Sequence, residues 1–156
     1  METQLKFQTC VSAPISEVWK WITSRSGISK EMWPYFRMTF PRGVNSLQDV
    51  KFKPQERLFR SKIYLFGFLP FGHDDMTLIS LTEGQGFIEE SPMTFMKHWR
   101  HERSLTSSSN GTVITDQITF EPRHAMNLVA RFMNRVFIHR HKVLRQNLEN
   151  KLGSRG

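Results

Sequence analysis

The hydrophobic positions along this 156-residue chain change period three times. In "TQLKFQTCVS", near the N-terminus, Leu5, Phe7 and Thr9 alternate with Gln4, Lys6 and Gln8. A period of two with one greasier side predicts a half-buried β-strand. In "APISEVWKWITS" the apolar Ile15, Val18, Trp19 and Ile22 stand at i, i+3, i+4 and i+7, the spacing of one helical face. Pro14 suits the first turn of that helix, where its missing N–H costs nothing. Gly27, just past Ser26, is expected to end it. A second short helix over residues 29–33 would stop at Pro34.

From Tyr35 to Glu121 the period of two returns. Strands are expected in "YFRMTF", closed by Pro41, and in "RLFRSKIYLFGF". Two more, "MTLISLTE" and "GFIEE", flank the turn Glu83-Gly84-Gln85-Gly86, and "FMKHWRHERSL" and "TVITDQITFE" make a hairpin. "GVNSLQDVKFKPQE" reads as a loop or weak edge strand, and "GFLPFGHDD" as a break set by its glycines and proline. Six or seven strands with short connections predict a mostly antiparallel sheet. After Pro122, residues 124–152 contain neither Gly nor Pro and read as one long helix. Met126, Val129, Met133, Val136, Phe137, His141, Leu144 and Leu148 form its apolar side, and Arg131, Arg135, Lys142, Arg145 and Glu149 the opposite one. The expected class is α+β. Residues 1–152 would form a single domain in which a curved antiparallel sheet wraps a C-terminal helix, and residues 153–156 a disordered tail. Such a sheet leaves a mostly apolar space against its helix, a common setting for ligand sites.

Composition narrows this picture. With 13 Phe, 4 Trp and 38% hydrophobic residues, the chain is too apolar to be disordered and suits a fold that lines a large interior. The single cysteine, Cys10, permits no intrachain disulfide, which fits a reducing compartment; it is expected to be a buried, inert thiol. No window approaches the ~20 apolar residues of a membrane span. "METQLKFQTC" lacks the basic-then-apolar layout of a signal peptide, so a cytoplasmic protein is expected. The net charge of +8 favours anionic partners, including peripheral contact with an anionic bilayer. No motif with a defined nucleic-acid docking mode is present, and nucleic acid is not expected as a partner. There is no Gly-x-Ser-x-Gly elbow and no phosphate-cradling glycine loop, and no cofactor is expected.

The order of elements and several local motifs resemble the helix-grip superfamily of START, Bet v 1 and polyketide-cyclase-like (SRPBCC) domains. "VSAPISEVWKWI" resembles that superfamily's opening strand-to-helix junction. One ligand-binding branch is similar in more detail. It shows an acidic Phe-containing strand (here Phe87 with Glu89 and Glu90), a Trp-x-His (Trp99, His101), a Gly-Thr followed by an Asp (Gly111-Thr112, Asp116) and a Phe-x-x-Arg-His near the end (Phe137, Arg140, His141). The resemblance covers nearly the whole chain. It implies a cavity for a hydrophobic molecule such as a lipid, polyketide or quinone, with a minority of members acting as cyclases or hydrolases. It also implies that Glu89 or Glu90 lies near the cavity, and strand alternation leaves open which.

The hairpin over "WRHERSLTSSSNGTVITDQITF" carries the polar candidates. If Thr106 and Gly111 bracket its tip, Leu105 faces Thr112, Arg103 faces Ile114, His101 faces Asp116, Trp99 faces Ile118 and Lys97 faces Phe120. His101 and Asp116 then point inward together, with Arg103 reaching diagonally, because opposed residues share a face. A buried carboxylate needs such partners. The pair is readable as a register-fixing contact, a ligand-orienting dyad or an acid–base pair. The expected ligand site comprises Trp99, His101, Arg103, Asp116, Ile118, Phe120, Met133, Phe137 and His141, with His101 and Asp116 as the catalytic candidates should there be chemistry. Phe66, Phe68, Leu69 and Phe71, in "YLFGFLPFG", read as buried packing, a lid or a membrane-touching patch. No metal site is expected: His139 and His141 point to different sides of a helix, and His98 and His101 to opposite faces of a strand. A binder of hydrophobic small molecules is favoured over an enzyme. The alternatives are a cyclase or dehydratase using His101–Asp116, and a lipid or quinone carrier at a membrane surface.

Overall fold

The computed structural model describes residues 2–149. β1 (Thr3–Val11) follows the alternation read above, with Leu5, Phe7, Thr9 and Val11 turned inward. It leads into α1 (Ile15–Thr23) and α2 (Arg25–Met32), then β2 (Phe36–Met38), β3 (Arg57–Leu65), β4 (Leu69–Thr82), β5 (Gly86–Glu90), β6 (Met96–Ser108), β7 (Gly111–Pro122) and α3 (Met126–Leu148). The seven strands form one antiparallel sheet in the order β1-β7-β6-β5-β4-β3-β2. The fold is therefore α+β: the sheet curls around α3, and α1 and α2 bridge its two edge strands.

Several expectations are corrected. The first helix ends at Thr23, four residues before Gly27, because Ser24 turns the chain and caps α2, its side chain accepting from the Gly27 N–H. Gly27 is inside α2, where a Cβ would run into the Trp21 carbonyl oxygen. "GFLPFGHDD" is a hairpin rather than a break. Leu65 pairs with Leu69 around a three-residue turn, where Phe66 and Gly67 take positive φ, and β4 runs through Asp74 and Asp75. α3 starts at Met126, after Ala125 in a left-handed conformation, and the predicted extension over 150–152 and the tail 153–156 lie outside the described residues. Cys10 is exposed, since it sits on the outward side of β1.

The most consequential correction concerns the β6–β7 register. The turn is the two residues Ser109 and Asn110, so Ser108 pairs with Gly111, and the whole ladder slides by two from the expected one. Arg103, not His101, is opposite Asp116, and His101 faces Ile118. A slip of two conserves every side chain's face. Trp99, His101, Arg103, Asp116, Ile118 and Phe120 are all inward and buried.

The core is divided. One apolar cluster gathers Val11, Leu105, Ile114 and Leu144 with α1 and α2, and a second gathers Trp99, Ile118, Phe120 and Phe137. Between them, at the same level of each element, stand Thr9 on β1, His101 and Arg103 on β6, Asp116 on β7, and Arg140 and His141 on α3. The inward row of each element therefore reads apolar, polar, apolar, and a polar layer crosses the molecule.

Candidate functional site

The polar layer is built around Arg103, which is 1% exposed. Its Nε and Nη2 donate to the two Asp116 oxygens, both at 2.7 Å, and its Nη1 and Nη2 donate to Glu31 at 3.1 and 2.8 Å. Arg140 Nε donates to Glu31 at 3.1 Å, and the Trp21 indole N–H donates to the other Glu31 oxygen at 2.9 Å. Fork-to-fork guanidinium–carboxylate pairing of this kind fixes both distance and plane. Burial alone pushes the Glu31 carboxyl up, but the charges of Arg103 and Arg140 overcome it and hold it below the usual range. For Asp116 burial acts the same way, and Arg103 and then His101 hold it well below. The two carboxylates and the two guanidiniums of the layer balance in charge.

Both imidazoles close on Asp116. His101 Nε2 lies 2.6 Å from Asp116 Oδ1 and His141 Nε2 lies 2.7 Å from Oδ2. Thr9 Oγ1 accepts from Arg145 at 3.1 Å and lies 2.7 Å from His141 Nδ1. His101, with Nε2 donating to Asp116, turns Nδ1 the other way, to 3.9 Å from Glu89 Oε1.

That second direction opens on a cavity of about 120 Å³ between the sheet and helices α2 and α3. Six of the chain's eight methionines line it: Met32, Met38, Met76, Met93, Met96 and Met133. Phe36, Phe71, Phe87, Phe95 and Trp99 supply aromatic wall, and Phe71 stacks on Phe95 at 3.7 Å between ring centroids. Its polar groups include Asp74, Glu89, His101 and Arg140. Glu89 Oε2 accepts from the Ser91 hydroxyl at 2.7 Å, and Oε1 from the Trp99 indole N–H at 3.4 Å. Asp74 stands beside Glu89. Burial first, then the Glu89 charge and a hydrogen bond to it, push the Asp74 carboxyl well above its ordinary range. Its Oδ1 is buried and has no hydrogen-bond partner.

The sequence candidates thus separate into two groups. Trp99, His101, Met133 and Phe71 line the cavity. Arg103, Asp116 and His141 lie in the polar layer behind it, and Ile118, Phe120 and Phe137 pack the second apolar cluster. Phe66, Phe68 and Leu69 project from the β3–β4 hairpin into solvent, Phe68 with 74% exposure, and none of the three lines the cavity. The choice left open between the two glutamates is resolved: Glu89 faces inward, while Glu90 faces outward and pairs with Arg100 at 2.8 Å and with His98. Sequence reasoning missed Glu31 and Asp74. Glu31 is a lone acid in a short polar helix. Asp74 sits in a run of polar residues whose alternation, Asp74 in and Asp75 out, is hidden by the flanking Pro70 and Gly72. No cluster of side chains arranged to hold a metal ion occurs among the described residues.

Residues 9–148 match the family described as "Domain of unknown function (DUF8410)". The chain belongs to the DUF8410 family. No curated protein matches its sequence. Among solved structures, this DUF8410 chain is similar to protein CV1439 from Chromobacterium violaceum, with a TM-score of 0.71 and 11% identity over 94% of this chain and 98% of that one. It is similar to Ara h 8.0201, with a TM-score of 0.65 and 9% identity over 95% and 98% of the two chains. DynU16, a protein of the dynemicin biosynthetic locus, aligns with a TM-score of 0.59 and 11% identity over 92% of this chain and 47% of its own. At these identities the likeness shows the fold alone, the Bet v 1-like helix grip, in which the seven-stranded sheet of the DUF8410 chain curls around its C-terminal helix. No helix among the described residues is long and apolar enough to cross a membrane.

Proposed function

We propose that this chain binds a hydrophobic small molecule in the cavity between its sheet and α3. The observation that carries the reading is the lining: six methionines and several aromatics together with five ionisable groups, His73, Asp74, Glu89, His101 and Arg140. Apolar burial at ~25 cal/mol per Å² drives association, and the few polar groups orient the guest. Methionines suit the role, because unbranched thioethers repack around guests of different shape. Proteins with the Bet v 1-like fold generally bind hydrophobic small molecules, which supports the reading. A void of this order holds about one small ring without rearrangement. Native mass spectrometry of the freshly purified chain tests the proposal, together with toluene titrations followed by the methionine methyl NMR signals. A co-purified mass, or saturable shifts of the cavity methyls, is expected. Neither a bound mass nor any shift would overturn it.

A second reading is acid–base chemistry at His101. Asp116 fixes the ring through Nε2 and leaves Nδ1 at the cavity, the arrangement in which a buried carboxylate orients a general base. Asp116 is fully buried and held by Arg103 and both imidazoles, so His101 rather than Asp116 would meet a substrate. Turnover abolished in His101→Ala with guest binding retained supports this reading, and unchanged turnover removes it. Contact with an anionic membrane is a further part of the proposal. The β3–β4 tip exposes Phe66, Phe68 and Leu69 beside Trp33, on a chain of net charge +8. Salt-sensitive sedimentation with anionic vesicles, lost in Phe68→Asp, is the expected result.

A further inference from the structure

The head group of the guest is written into the floor of the cavity. We propose that the cavity takes a small organic cation, an ammonium group on an apolar body about the size of one ring, with the Asp74–Glu89 pair as its counter-charge. This rests on the cavity being a ligand site and names the class of ligand.

Two acidic side chains with hydrogen-bonding capacity to spare line the cavity. Asp74 Oδ1 is buried without a partner. Glu89 Oε1 receives one long bond, 3.4 Å, from Trp99. His101 Nδ1 is 3.9 Å from that same oxygen, beyond hydrogen-bond distance. A primary ammonium carries three donors and no acceptor, which suits the Asp74 and Glu89 oxygens, and a carboxylate brings them no donor.

The charges point the same way. Arg103 is committed to Asp116 and Glu31, and Arg140, which also lines the cavity, gives its Nε to Glu31. Asp74 and Glu89 are both acids of the cavity lining, and burial and the Glu89 charge raise the Asp74 carboxyl. The donors that touch Glu89, Ser91 and Trp99, are neutral. An isolated buried charge is costly until a counter-charge meets it. The walls tolerate such a guest, since aromatic faces attract an ammonium and polarisable thioethers accommodate it. The surface charge of +8 is screened beyond about 10 Å and does not decide what the pair attracts.

The test uses the full chain with isotope-labelled methionine methyls and one apolar body bearing three heads: benzylamine, benzyl alcohol and benzoate. The signals of Met76, Met93 and Met133 report on the cavity, and Met126, the first residue of α3 and not part of the cavity lining, serves as the control. Benzylamine is expected to bind at least tenfold more tightly than benzyl alcohol, and benzoate not to bind. The preference should collapse in Asp74→Asn and, independently, in Glu89→Gln, each of which keeps the side-chain shape. An alcohol that binds as tightly as the amine, or a preference that survives both substitutions, overturns the inference. If toluene moves the cavity methyls and benzylamine does not, the inference fails while the hydrophobic site stands; if nothing moves them, both fail.

Discussion

Arg103 and Asp116 sit directly opposite each other in the β6–β7 ladder, and Arg103 donates two hydrogen bonds of 2.7 Å to Asp116 in a space closed to solvent. The pair joins neighbouring strands, and through Glu31 and His141 it also joins them to α2 and α3. Removing the cation would strand two buried carboxylates. Arg103→Leu should therefore cost about 3–5 kcal/mol, measured by denaturant unfolding. Arg103→Lys should recover little, because an ammonium cannot serve two carboxylates fork to fork. Full recovery by lysine would refute the geometric account.

Acidification should act on the same layer. Glu31 and Asp116 have folded pKa values below their unfolded ones, because the guanidinium charges outweigh burial. Their contribution is present above the ordinary carboxylate range, roughly pH 4, and is lost as pH falls through the lower folded values. Unfolding midpoints measured against pH should fall steeply on the acid side.

Asp74 runs the other way. Burial and Glu89 raise its folded pKa, so its contribution is complete below about pH 4 and is lost as pH rises through the folded value. Asp74→Asn, which keeps a donor toward Glu89, should raise the unfolding midpoint at neutral pH and leave it nearly unchanged near pH 3. A lower midpoint at neutral pH would contradict the assignment.

Gly86 opens β5 at φ +139°, and a Cβ there would strike the Arg103 carbonyl oxygen. Gly86→Ala should destabilise the chain by roughly 1–3 kcal/mol through backbone strain. Gly84, with open space around it, should tolerate alanine better despite its positive φ. Equal losses at the two positions would contradict the close approach.

Cys10 is on the outer face of β1, its Sγ 3.9 Å from Ser108 Oγ. It should react with a thiol reagent in the native state at a rate insensitive to sub-denaturing urea. Labelling that requires unfolding would place it inside.

The fold was legible because its signals are periodic. The alternation of β1, the helical face Ile15–Ile22 and the long run without Gly or Pro each announce an element that packing then uses. The inward face of the hairpin was equally readable, since a slip of two residues does not alter it. The partner of Asp116 was not, because the turn's length, not the strand pattern, sets register; only Ser108-Ser109-Asn110-Gly111 distinguishes a two-residue turn from a longer one. Glu31 was invisible for a different reason. Its importance comes from Arg103, 72 positions away, and nothing local marks a lone glutamate in "SKEM" as buried. The helical position of His141 placed it inward correctly, but could not say that it would meet a carboxylate rather than the guest.

The two ends of α3 are held by different forces. Arg140, His141 and Arg145 join its C-terminal half to α2, β7 and β1, and Ala13 donates to the Leu148 carbonyl oxygen. Its N-terminal half rests mainly on side-chain contacts such as those of Phe132 with Tyr35, Phe36 and Phe66. Directional bonds resist displacement sharply, whereas aromatic contacts slide at low cost. Local opening of α3 should thus begin at its Phe132 end, beside the β3–β4 tip, before the end bonded through Arg140, His141 and Arg145 gives way.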